Sequence, residues 1–177
     1  MSENGLIYWS QEFSLQLQHF QGQVDKNNPH HASLRTSVEY LFYNEEKKTS
    51  SKYKIKINKI TVKSFFTPSK SWMRREVINE VNLPSLLKHE QGHFDLSEEY
   101  ARKINLQMNK FSGKSYSCKN TQKEKATDEI KQMLDKKFKV YTLELKKAHN
   151  QYDEETNHGL ILHVQKKYNI RFSMLRK

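Results

Sequence analysis

No proline follows Pro84 in this chain, and glycine is almost as scarce there, while Leu, Lys, Glu and Gln dominate. Gly and Pro are the residues that interrupt helices, so their loss leaves long helices as the main structure open to the C-terminal half. A first helix is expected from about 84 to 111, with Pro84 in its first turn and Ser112-Gly113 as a left-handed stop. Beyond the polar stretch GKSYSCKNTQKEK, a second pattern begins near Thr127-Asp128 and carries Ile130, Met133, Leu134, Phe138, Tyr141, Leu145 and Ala148 at spacings of three and four. It turns near Asn157–Gly159 before LILHVQKKYNIRF closes the chain.

The preceding half, 1–72, reads mainly as strands and turns, with connections such as NNPHH and NEEKKTSS. In SKYKIKINKITVKSFF, Tyr53, Ile55 and Ile57 alternate with lysines, and then Ile60 and Val62 take up the opposite parity. A bulge or break near Asn58-Lys59 is the economical reading, since it keeps both sets on one face. EFSLQLQHF also alternates, with Phe13, Leu15 and Leu17 on one side, as in a strand. The fold class expected is therefore α+β in one domain spanning 1–177: an N-terminal antiparallel sheet, then helices over 84–177.

Nine Tyr, nine Phe and two Trp argue against a disordered chain, although hydrophobic residues make up only 35%. The net charge of +11 comes from lysines scattered in pairs such as Lys136-Lys137, without a block of like charge, so a solvated face is expected and no dedicated nucleic-acid site. The single Cys118 excludes an intrachain disulfide. No run is long and apolar enough for a transmembrane segment, and MSENGLIYWS lacks the order of a signal peptide.

Within the first helical pattern stands LLKHEQGHFDLSEEYARK, residues 86–103. On a helical wheel His93 lies about 40° from His89, and Leu86, Leu96, Tyr100 and Ile104 fall within about 60° of it, so both imidazoles sit on the apolar face. Histidines four apart can share one Zn²⁺, and the carboxylate beside the first can reach a water on the metal: the HExxH arrangement. Glu90 is then the general base. Gly92 in a helix interior suggests close approach of another backbone.

A catalytic zinc takes a third protein ligand. Asp95, Glu98 and Glu99 lie about 80° or more from His89 on the wheel, which leaves AHNQYDEETNHGL as the source. His158 is favoured over its acidic neighbours because imidazole suits zinc. Asp95 and Glu98 are candidates to hold a ligand or a nearby basic group from behind, and Tyr152 to donate a hydrogen bond to an oxyanion. His30 and His31 are adjacent, so on a strand they would point to opposite faces and not share a metal.

HEQGHFDLSEEYARK, with the early YWS, HHAS, SFFTPSKSW and YDEETNHG, resembles the signature of a bacterial domain-of-unknown-function family described as secreted zinc-dependent proteases. The resemblance implies a zincin-like hydrolase, a metallopeptidase with His89, His93 and His158 as ligands, Zn²⁺ as cofactor, a peptide or protein substrate, and a secreted or cell-envelope location. It also suggests that KSFFTPSKSWM forms an edge strand over the metal. The alternative function is a catalytically inactive zincin-like domain that binds a protein, nucleic acid or anionic surface through its basic exterior.

Overall fold

Strands β1 (Ile7–Tyr8), β2 (Ala32–Ser33), β3 (Thr36–Lys48), β4 (Tyr53–Phe66), β5 (Trp72–Met73) and β6 (Ser115–Ser117) accompany helices α1 (Leu83–Met108), α2 (Lys123–Thr156) and α3 (Leu162–Ser173). The structure is a computed structural model that describes residues 5–177, so the first residues of the stretch read for an export leader lie outside it. The α+β class is as expected: an antiparallel sheet in the first half and helices in the second.

The sheet is built on the β3–β4 hairpin, with β1 and β6 pairing along the other side of β4, which leaves β3 at an edge. Tyr43 stands opposite Lys59 and Asn44 opposite Ile57, so Asn58 is the extra residue of a bulge at the expected place. The bulge turns Ile55, Ile57 and Ile60 to one face, where all three are buried, and leaves Lys54, Lys56, Lys59 and Lys63 in solvent.

α1 lies against that apolar face, with Ile104 and Met108 packed beside the isoleucines and Ile130 and Leu134 of α2. Nearer its start, Phe94 meets Phe66 of β4 edge-on, ring centroids 5.0 Å apart. Helices α2 and α3 cover the opposite side through Leu96, Tyr152 and Phe172. The middle of α1 is thus enclosed from both sides, which is why polar His89, Glu90, Asp95 and Ser97 are buried with it.

Two details differ from expectation. EFSLQLQHF forms no strand: Phe13, Leu15 and Leu17 do join one apolar cluster, but Leu17–His19 is a 3₁₀ turn and the Leu15 N–H donates to Gln91 Oε1 at 2.8 Å. A side chain on α1 takes the place of a neighbouring strand there. α2 starts at Lys123, ahead of Thr127-Asp128, because the buried Ala126 anchors an additional turn in the core.

Candidate metal centre

α2 crosses α1 at Gly92, where an added Cβ would stand 2.7 Å from Cζ of Tyr152. The close neighbour is a tyrosine ring, where the sequence suggested a backbone. This approach brings His149 and Asp153, one turn apart on α2, opposite His89 and His93, one turn apart on α1.

Asp153 Oδ1 is 3.1 Å from His89 Nε2 and 2.9 Å from His93 Nε2. Among the described residues, these three side chains form a group whose ligand atoms lie within 4.8 Å of one another. Zinc bonds of 2.0–2.2 Å in a tetrahedron separate neighbouring ligand atoms by about 3.3 Å, so the residues fit such an ion. Burial pushes the Asp153 carboxyl up, but hydrogen bonds with His89 and His93 outweigh it and hold the group below the ordinary carboxylate range. Burial likewise opposes charge on His89, yet Asp153, Glu90 and Gln165 together raise its pKa above the usual value.

The other nitrogen of His93 is also engaged. Its Nδ1 lies 3.0 Å from Nδ1 of His149, whose Nε2 lies 3.2 Å from Ser97 Oγ. The Ser97 hydroxyl donates to the His93 carbonyl at 3.1 Å, so its oxygen is left to accept from His149 Nε2–H. With that hydrogen on His149 Nε2, from which the Thr36 hydroxyl also lies 3.4 Å, His149 Nδ1 is the acceptor and His93 Nδ1 carries a hydrogen, leaving His93 Nε2 toward Asp153. His149 stays neutral, its pKa pushed down to about 3 by burial and then by the charge of His93.

Glu90 is buried beside this group. Its Oε2, among the described residues, has no hydrogen-bond partner, while the Leu34 backbone N–H donates to the carboxylate. Burial raises its pKa above the usual glutamate value, against the opposing pull of His93 and His89. These residues floor a cleft of about 900 Å³, walled by residues 28–38 on one side and by Leu145, His149, Asn150, His158 and Leu160 on the other.

Asp153, and not His158, completes the group of three. α2 remains helical through Thr156, which keeps Asp153 on the same face as His149, whereas His158 falls after the helix end in left-handed backbone (φ 54°). His158 is half-exposed at the rim, with Nδ1 3.5 Å from Asp153 Oδ1 and its ring against that of His30, centroids 4.0 Å apart and tilted by 39°. Tyr152 does not face the cleft: fully buried, its hydroxyl donates to the His89 carbonyl at 3.1 Å and its ring stacks on His89. Asp95 touches neither imidazole; it accepts from Trp9 Nε1 at 2.8 Å, Gln91 at 3.0 Å and Arg176 at 2.6 Å. Glu98 accepts from Ser64 and Arg102.

The edge strand beside the cleft also differs from expectation. Phe65 and Phe66 lie in β4 between β1 and β3, Trp72–Met73 pairs with Ala32–Ser33, and KSFFTPSKSWM supplies none of the residues that line the cleft. Residues 34–38, leading into the open side of β3, line it instead. Sequence reasoning missed Gln165, which holds His89, and took His149 only as one possible third ligand, where it holds His93. The repeat of His149 and Asp153 at i, i+4, matching His89 and His93, was a readable signal for His149; nothing marked Gln165.

No helix among the described residues is long and apolar enough to cross a membrane. No curated protein and no solved structure gave a match. A family described as bacterial protein of unknown function (DUF922) matches residues 11–159, which contain all three members of the cluster and Glu90. Matched over most of its length, the chain belongs to this bacterial family.

Proposed function

We propose that the chain is a zinc-dependent peptidase of zincin-like architecture, with His89, His93 and Asp153 holding the ion and Glu90 serving as general base. The observation that carries this reading is the buried Glu90 Oε2, without a partner among the described residues, beside three convergent ligand atoms at the floor of a cleft. A buried carboxylate oxygen left unpaired is costly, and a reacting water supplies the missing donor.

Zn²⁺, when bound, supplies Lewis acidity and brings the pKa of water to about 7. The chain's own residues do the rest. Glu90, its pKa raised by burial, is suited to accept a proton from the attacking water at Oε2 and to release it to the leaving amine nitrogen. The Leu34 N–H fixes the orientation of that carboxylate. His158, at the rim of the cleft, is the imidazole placed to hydrogen-bond a substrate carbonyl oxygen. The open edge of β3 at Thr36–Val38 offers main-chain groups to an extended peptide.

The test is digestion of an unfolded protein by the zinc-loaded chain, with fragments read by mass spectrometry and Glu90→Gln in parallel. The reading requires fragments from the wild type alone. A wild type that holds zinc and cuts nothing, or a Glu90→Gln variant that cuts equally well, removes it.

A further inference from the structure

Helix α3 lies beyond the matched residues 11–159, yet it reaches the metal cluster. Its buried residues are Gln165 and Phe172, and Gln165 is only 6% exposed. A glutamine that deep must have its polar atoms satisfied. Nε2 donates to the Tyr152 hydroxyl at 2.7 Å and to Asn169 Oδ1 at 2.9 Å, which commits both amide hydrogens. Oε1 is left facing His89 Nδ1 at 3.1 Å, and an amide oxygen can only accept.

His89 Nδ1 therefore carries a hydrogen, which leaves Nε2, 3.1 Å from Asp153 Oδ1, as the nitrogen open to an ion. The Tyr152 hydroxyl lies 3.1 Å from both the His89 carbonyl and Gln165 Oε1; a hydrogen given to either leaves Oε1 an acceptor and the tautomer unchanged. The ring cannot swing away easily. Tyr152 stacks on one face at 4.8 Å and 10°, and Gly159 presses close enough that a Cβ there would stand 3.0 Å from His89 Cβ. Outside the cluster, α3 is fastened to α1 by Arg171, which donates twice to Glu99 at 2.6 and 2.7 Å.

We propose that Gln165 is a positioning residue of the metal centre: from α3 it holds His89 in the tautomer and orientation that present Nε2 to the ion. The proposal rests on the zinc reading, and its test separates the two. Long-range ¹⁵N–¹H spectra of the full-length wild type, zinc-free at alkaline pH and again with zinc added, report which nitrogen of His89 bears the hydrogen. Hydrogen on Nδ1 in both is expected; hydrogen on Nε2 in the zinc-free protein overturns the role of Gln165 whether or not zinc binds.

Competition with a chromogenic chelator then measures zinc affinity in Gln165→Leu and Gln165→Glu, the second of which keeps an acceptor. Roughly a 10- to 100-fold loss is expected for Leu, with recovery for Glu, as for other groups that orient a ligand from behind. Affinity unchanged in a folded Gln165→Leu chain overturns the proposal while the zinc reading stands. If neither variant folds, the tautomer in the wild type decides. No zinc uptake by the wild type defeats the zinc reading and leaves the tautomer to be judged by itself.

Discussion

The Nδ1 atoms of His93 and His149 stand 3.0 Å apart, with the Ser97 hydroxyl behind His149 directing which of the two nitrogens bears hydrogen. His149→Ala removes the acceptor on which the orientation of His93 depends. Zinc affinity should fall roughly 10- to 100-fold, as measured by chelator competition. An unchanged affinity would show that packing alone orients His93.

Glu90→Gln keeps the shape of the side chain and the donor–acceptor reach of its oxygen, but cannot take a proton. Peptidase turnover should drop by about 10²–10⁴-fold with zinc content unaltered, measured on the same preparation.

The metal-free chain should lose stability as pH rises. His89 has a folded-state pKa raised above its ordinary 6.5, so what its contact with Asp153 contributes is fully present below that value and is lost as pH climbs through the folded one. Glu90, also raised from 4.5, costs stability in the same direction once it must ionise. Asp153, depressed below 3.8, contributes above that value and fails only in acid. Thermal unfolding of the metal-free protein should therefore move to lower temperature as pH rises above about 6.5, and added zinc should offset the decline. A zinc-free unfolding temperature that climbs over that range contradicts the assignment.

Gly92→Ala places a methyl group against the Tyr152 ring, between helices fixed by their other contacts. Overpacking of this kind costs about 1–3 kcal/mol, and here it also displaces the helix that carries Asp153. Denaturant unfolding should show the loss, and zinc affinity should fall with it.

What was legible in the sequence was whatever depends on one element. Periodicity placed α1 and the bulge at Asn58, and the i, i+4 spacing put His89 and His93 on one face. The third member of the cluster depends on how α2 crosses α1, a distance of many residues in sequence, and a preference for imidazole pointed to His158 where the helical phase of His149 and Asp153 governs. Gln165 was hidden for the same reason, as a neutral residue on a helix whose docking no local pattern announces. The segment at Phe13–Leu17 shows the converse: its apolar alternation was real, but a side chain from α1 met the backbone N–H that a strand would have paired.

The central claim is that Asp153 joins His89 and His93 around zinc, and elemental analysis of the untagged chain, with Asp153→Ala and His158→Ala beside it, tests this most directly. About one zinc per chain in the wild type and in His158→Ala, with the metal lost in Asp153→Ala, is the predicted result. A wild type that takes up no zinc when it is supplied, or a site that survives Asp153→Ala and fails in His158→Ala, would contradict it.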